Sequence, residues 1–459
     1  MSCRAIVIGG THTGVGKTSI AIGLMSALAE RGLTVQPYKI GPDFVDPTHH
    51  RAATGRCSHN LDSWMLDRPT NAGIFSRHCR DADAAIVEGV MGLYDGSTGS
   101  SASGSTAQMA RWLDLPVVLV VDAWPLARSV AALVKGYVEF DPALEVAGVI
   151  LNRVASDGHE ELLREALYDV DGVDVLGGIP RRDELEIPER HLGLHMAGER
   201  TIPQKYVSKL GRVVEDNVDL DHLLRFVARP AKETPEEATP EAVGDVRIAV
   251  ARDDVFCFYY EDNFERLEAL GAELVPFSPL ASSLPDSIDG IYIGGGYPEN
   301  EPAAISANRS FLDGVVEFAS RGGPILAECG GLMTLGNWLE TLDGDRYRMA
   351  GLFPWGTRVT ERPKLDYVQV TARGDSRLYP RGETARGHLF HHSEIVGDQK
   401  SSEFGRCYDV APVREANYRE GYCQRSVLAS YVHVHFGSNP AYARGFVERC
   451  MEFKRERQS

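Results

Sequence analysis

The sequence has no C-x-x-C pair. Its eight cysteines, Cys3, Cys57, Cys79, Cys257, Cys329, Cys407, Cys423 and Cys450, are scattered along the chain. That pattern excludes a thiolate zinc ribbon and predicts free thiols in a reducing compartment. No run approaches ~18 consecutive apolar residues, so no membrane-spanning helix is expected. The opening MSCRAIVIGG has no basic segment followed by an apolar one. No secretory leader is therefore expected, and the predicted location is the cytoplasm. Basic residues are the minority: 48 Lys and Arg against 65 Asp and Glu give a net charge of −17. Nucleic acid and anionic membrane are poor partners for such a chain, and small-molecule substrates are expected. No repeat of fixed period is present.

What is present reads as an ordinary globular chain. It has 459 residues, 43% hydrophobic and 25% charged, enough for two to three domains. Residues 228–245, ARPAKETPEEATPEAVGD, hold three prolines, many charges and no apolar period, which is linker composition. The predicted organisation is a domain over 1–228, a linker over 229–245 and a second domain over 246–459. Short apolar runs recur at Ala5–Ile8, Ala84–Val87, Val117–Val121 and Val146–Leu151, and again at Val246–Ala251, Gly290–Ile293 and Pro324–Ala327. Each reads as a buried strand of a mostly parallel sheet. The predicted fold class is α/β, with two doubly wound domains.

After the first run comes Gly9-Gly10-Thr11-His12-Thr13-Gly14-Val15-Gly16-Lys17-Thr18, then a helix-like stretch to about Arg31. Glycines let the backbone curl so that N–H groups face phosphate oxygens, and the following helix adds its positive end. Thr13, Gly14, Val15 and Gly16 would cradle the nucleotide. Lys17 would reach its terminal phosphates, and Thr18 would bind Mg²⁺. The strict pattern wants Gly where Thr11 stands, so this is a variant loop, G-x5-G-K-T. It resembles that of dethiobiotin synthetase, which phosphorylates a carboxylate. The partition and septum-site ATPases carry an extra lysine where this chain has His12.

Acids stand where a metal would need them. Glu88 ends the apolar run Ala84–Val87, at the strand end where α/β folds bind ligands. Beside a phosphate loop it is a natural Mg²⁺ ligand, because Mg²⁺ prefers hard oxygen donors. Asp43 and Asp46 lie in the loop KIGPDFVDP after the strand Thr34–Tyr38. They are either site residues or caps of turns.

KIGPDFVDP and the run EGVMGLYDG from Glu88 to Gly96 together resemble the cobyrinic acid a,c-diamide synthases, which amidate two side-chain carboxylates of a corrin ring. The resemblance assigns Lys39 to phosphate and Asp46 and Glu88 to metal or phosphate. It places Asp95 near the ring, and Asp43 is grouped there with it. Asn152, in ILNRV, is either at the adenine ring, as the family has it, or a strand-end turn residue. Ile187–Leu194 also matches a family segment. Cobyric acid synthases lack the VMGLYDG run.

The second domain reads as strand, sharp turn and helix over GGPILAECGGL, with Cys329 at the turn. A helix N-terminus is expected to lower the thiol pKa, and Gly330 beside it admits close approach of substrate. The run ASYVHVHF reads as one strand with His433 and His435 on one face. His433 is the candidate base for the thiol. Gly295 and Gly296, after another strand, would supply oxyanion N–H groups. These features resemble the class I glutamine amidotransferase domain. Its usual orienting acid is replaced here by His435, which leaves the third member of the site open. Arg386–Glu394 is His-rich without zinc spacing. It reads as structural or substrate-facing, and Leu389 and His392 depart from the family there.

The resemblance implies ATP- and glutamine-dependent amidation of the a and c carboxylates of cobyrinate through acyl phosphates, with Mg²⁺ and ATP. Hydrogenobyrinate and nickel-sirohydrochlorin are alternative rings. A P-loop ATPase switch with a docking domain is the alternative of another class. A homodimer is the candidate assembly.

Overall fold

The computed structural model describes residues 4–181, 189–190, 193–194, 204–226, 241–374, 376–397 and 404–459. Most of the linker and much of Ile187–Leu194 lie outside them. The chain divides into two compact units, Met1–Glu237 and Ala238–Ser459.

The first unit begins β1 (Arg4–Gly10), α1 (Lys17–Glu30), β2 (Val35–Ile40), α2 (Asp46–Thr54), β3 (His59–Leu61), α3 (Arg68–Cys79) and β4 (Ala84–Glu88). It continues α4 (Thr106–Leu113), β5 (Val117–Asp122), α5 (Ser129–Phe140), β6 (Val146–Val154), α6 (Asp157–Leu167) and β7 (Asp174–Pro180). The short strands β8 (Glu189–Arg190) and β9 (Gly193–Leu194) and the helices α7 (Gln204–Asn217) and α8 (Leu220–Phe226) follow. Seven parallel strands lie in the order β3-β2-β4-β1-β5-β6-β7. Their residues are apolar on both faces because helices cover both, as the continuous runs predict.

α1 shows why the sequence folds this way. Ile20, Leu24, Met25 and Leu28 are buried and pack with Val207, Leu210 and Val214 of α7 in one core. Gly23 allows the approach: a Cβ there would lie 2.5 Å from a Val214 methyl. Gly32, at φ +85°, follows the last turn of the helix, a conformation glycine adopts without a Cβ penalty. Leu24→Ala would cost about 2–5 kcal/mol, the usual range for such a truncation.

The second unit opens with β10 (Val246–Ala251), β11 (Phe256–Phe258), α9 (Glu261–Ala269), β12 (Ala272–Phe277), β13 (Gly290–Ile293) and β14 (Gly295–Gly296). Then come α10 (Pro302–Ala307), α11 (Arg309–Ser320), β15 (Ile325–Glu328), α12 (Gly330–Leu335), β16 (Trp338–Glu340) and β17 (Arg346–Arg348). The last elements are β18 (Gly356–Ala372), β19 (Thr384–Val396), β20 (Gly405–Pro412), β21 (Tyr418–Gln424), β22 (Val427–Ser430), β23 (Val432–Val434) and α13 (Pro440–Gln458). The strands β12-β10-β13-β15-β22 are parallel. Beyond them the sheet turns antiparallel through β21, β20, β18 and β19, and β19 pairs with β23.

Two expectations need correction. The stretch around His433 is two strands, broken at Tyr431. Ser430 Oγ accepts the Val432 N–H, and the Tyr431 N–H goes to the Glu420 carboxylate. The backbone thus leaves β22 and crosses to β19. Cysteines are not all free thiols: Cys407 and Cys423 are joined across β20 and β21, and Cys79 is also bonded. Cys257, Cys329 and Cys450 carry free thiols.

Candidate active site

In the first unit the phosphate loop runs from the end of β1 to the start of α1. Gly14 and Gly16 are left-handed, at φ +83° and +98°. A Cβ on Gly16 would lie 2.2 Å from Asn152 Nδ2, so only glycine fits. Asn152 reaches the loop from the end of β6 and donates to the Val15 carbonyl at 2.8 Å. Arg153 beside it donates to the Gly14 carbonyl and pairs with Asp122. The structure thus gives Asn152 a loop-holding contact that sequence reasoning did not foresee. Lys17 Nζ donates to the His12 carbonyl. Burial, helped by neighbouring Lys39, lowers the Lys17 pKa to about 8.

Beneath the loop lies a buried cluster of charges. Lys39 Nζ sits 2.6 Å from Asp46 Oδ2 and 2.9 Å from Glu88 Oε1. Thr18 Oγ1 donates to the same Glu88 oxygen at 2.6 Å. Burial works against the charge of Lys39, but Asp46 and Glu88 outweigh it and hold its pKa up. Burial likewise pushes Glu88 up, and Lys39 and His50 overcome it, so this carboxylate lies below the usual range. Asp46 moves the other way, raised by burial and by the charges of Asp43 and Glu88.

Asp46 Oδ1 is buried without a hydrogen bond. Two carboxylates, one of them carrying that open oxygen, and a hydroxyl are hard donors, and they fit Mg²⁺. Asp43 Oδ1 accepts the N–H groups of Val45 and Asp46, which is the turn-capping arrangement. Asp95 Oδ2 accepts the Gly92 N–H and is close enough to Lys17 to raise its pKa. The sequence reading missed His50. It lies one helical turn beyond Asp46 on α2, a spacing that places both on one face, and its Nε2 is 2.6 Å from Glu88 Oε2.

In the second unit Cys329 joins β15 to α12 at φ 49° and ψ −102°. This backbone is strained for a non-glycine residue, and it turns the side chain away from the strand. Sγ donates to the Phe390 carbonyl at 3.4 Å, while the Gly330 and Gly296 N–H groups face the sulfur. Gly295 is packed between Cys329 and His433. A Cβ there would lie 2.3 Å from His433 Cε1 and 3.2 Å from the Cys329 Cβ. The predicted residues Cys329, His433, Gly295, Gly296 and Gly330 therefore meet at one place.

The expected low thiol pKa is not found. Burial, with the nearby Glu299 charge, pushes the thiol up, and the two N–H groups offset only part of this. Burial also lowers His433, to about 3. Both groups are neutral at rest. His435 does not orient His433: its Nδ1 accepts the Gly437 N–H and lies 3.9 Å from the Asp262 carboxylate.

The His-rich stretch on β19 forms the wall of this site. Phe390, His391 and His392 line a narrow cavity with Cys329, Tyr297 and Glu299. His388 lies directly opposite His433 in the sheet. The two rings stack with centroids 4.9 Å apart and 18° between planes. His388 Nδ1 is held at 2.7 Å by the Tyr260 hydroxyl. The departures at Leu389 and His392 therefore belong to the cysteine unit. Glu328, also missed, anchors the elbow: its carboxylate accepts the Val434 N–H at 3.0 Å and the Tyr292 hydroxyl at 2.7 Å.

Residues 6–194 match the CobQ/CobB/MinD/ParA nucleotide binding domain, and residues 247–441 match the CobB/CobQ-like glutamine amidotransferase domain. The chain is 42% identical to the cobyrinate a,c-diamide synthase of Priestia megaterium, over 100% of this chain and 99% of that protein. The chain belongs to the cobyrinate a,c-diamide synthase family. The synthase of Syntrophotalea carbinolica is 44% identical over 98% of this chain and 99% of its own length. That of Thermoplasma volcanium is 39% identical over the full length of both. This relative too is matched along both units.

Proposed function

We propose that the chain is a glutamine-hydrolysing cobyrinate a,c-diamide synthase, an ATP-driven carbon–nitrogen ligase of cobalamin biosynthesis. What carries this reading is one chain that joins a phosphate loop, with Lys17 and Lys39 beneath it, to an elbow cysteine faced by two backbone N–H groups. A carboxylate resists ammonia because its leaving group is oxide. In the first unit the substrate carboxylate attacks the terminal phosphorus of ATP, giving an acyl phosphate and ADP. Ammonia then attacks the acyl carbon, and inorganic phosphate leaves.

Lys17 and Lys39 hold the transferring phosphate and neutralise its charge. Thr18, Asp46 and Glu88 would hold Mg²⁺, which when bound draws charge off the phosphate oxygens. Thr13, Gly14, Val15 and Gly16 supply the loop, and Asn152 sets its shape from below. Asp43 and Asp95 are assigned to the ring side. The reaction belongs to the cytoplasm, where ATP and glutamine are supplied; among the described residues no helix is long and apolar enough to cross a membrane.

In the second unit glutamine enters the cavity at Cys329. With both groups neutral at rest, His433 takes the thiol proton as sulfur attacks the side-chain amide. The oxyanion accepts from the Gly296 and Gly330 N–H groups, with Gly295 giving the close approach to His433. His433 passes the proton to the departing ammonia. Water, with His433 as base, then cleaves the thioester to glutamate.

The test is Cys329→Ala assayed with glutamine and with ammonium. Glutamine-dependent amidation should be abolished, while ammonium-dependent amidation stays near that of the wild type. Loss of both together would end this division of labour. Mass spectrometry of cobyrinate after reaction counts the amides made, and two are expected.

A further inference from the structure

The side chain that holds Glu88 from behind is a fully buried polar group that the mechanism above does not use. His50 has no exposed surface. Its Nε2 lies 2.6 Å from Glu88 Oε2, and its Nδ1 lies 2.9 Å from Ser58 Oγ. The other Glu88 oxygen, Oε1, is taken by Thr18 at 2.6 Å and Lys39 at 2.9 Å. The carboxylate is thus divided. One oxygen faces the hydroxyl and ammonium beneath the loop, and the other is tied to an imidazole whose far side is tied in turn.

From this geometry we infer that His50 is a positioning residue for the nucleotide–metal centre. It fixes the plane of Glu88 so that Oε1 is presented toward Thr18 and the cation. The inference rests on the reading of the first unit as an Mg²⁺- and ATP-dependent centre. Three facts carry it. A glutamate side chain has three free torsions, and a short charge-assisted bond to one oxygen removes the rotation that would carry the other away. His50 and Asp46 share one face of α2, so the same helix sets both a metal candidate and the anchor of the second. Ser58 fixes the ring, which is how outer partners commonly orient the groups that hold a metal. The ring nitrogens of His50 are held by Glu88 and Ser58, so its effect on nucleotide is expected to pass through Glu88.

The experiment uses the full chain with His50→Leu, His50→Gln and Ser58→Ala. Binding of a non-hydrolysable ATP analogue is measured calorimetrically at stepped Mg²⁺ concentrations and in EDTA. His50→Leu should raise the Mg²⁺ needed for half-maximal tightening by about 10–100-fold, the usual cost of losing an outer partner. Binding in EDTA should not change. His50→Gln keeps an N–H donor for Glu88 and should recover most of the loss. Ser58→Ala should fall between. Glutaminase activity at Cys329 should match wild type in all three.

Unchanged Mg²⁺ dependence in His50→Leu overturns the inference. So does an equal loss of metal-free nucleotide binding, or a His50→Gln variant as poor as His50→Leu. Should His50→Leu fail to fold, Ser58→Ala decides: unchanged Mg²⁺ dependence in that variant overturns the inference. A wild type that binds Mg²⁺ and the analogue but amidates no tetrapyrrole would refute the proposed function and leave this inference standing.

Discussion

At the residue scale the charge on Lys17 couples nucleotide to pH. Its pKa of about 8 in the folded chain lies below the ordinary 10.5, first because it is buried and then because Lys39 is near. Bound phosphates favour the charged form. ATP binding should therefore take up protons as pH rises through 8, and affinity should fall by up to about tenfold per unit beyond it. Calorimetry at pH 8.5 in two buffers of different ionisation heat measures the uptake, and none at all would contradict the buried environment assigned to Lys17. The same shift has a sign for stability. The folded form binds fewer protons than the unfolded one between about 8 and 10.5, so this lysine's contribution becomes more favourable across that window. Gly295 offers a second test. With His433 Cε1 only 2.3 Å from the position of a Cβ, Gly295→Ala should cut glutamine-dependent turnover by about 10²-fold or more, the scale of losing one oxyanion donor. Ammonium-dependent turnover should persist. Residues such as Lys17, Thr18, Glu88 and Cys329 were legible in the sequence because each sits at a strand end or in a glycine-rich turn. His50 and Glu328 were not, because their partners are 38 and 106 residues away.

The β15 elbow and β23 act as one element because Glu328 ties them. Burial raises its pKa to about 7, and burial raises Glu420, which holds the turn at Tyr431, to about 7 as well. Unfolded glutamates lose their protons near 4.5, so the folded form holds these protons longer. Their contribution to stability is fully present at low pH and is lost as pH rises from about 4.5 to 7, by up to roughly 3 kcal/mol for each. Glu328→Gln should flatten part of that dependence in urea titrations at pH 5 and pH 8. An unchanged difference between the two pH values would refute the assignment. The parallel strands β10, β13 and β15 could be read from their apolar runs. The antiparallel half could not, since β18 mixes charges with apolar residues along 17 positions. The break at Tyr431 was hidden too, because alternation alone does not reveal that Ser430 and Glu420 take the backbone bonds.

For the whole molecule, two units with separate cores should unfold in two calorimetric transitions. An ATP analogue with Mg²⁺ at about 100 times its dissociation constant adds about 2.7 kcal/mol to the unit that binds it. For a unit of this size that is a rise of roughly 5–10 °C in one transition only. A common shift of both would mean that the units unfold together. The burial of Cys329 has one last consequence. A thiol that burial keeps protonated should resist peroxide and alkylating agents, which attack thiolates.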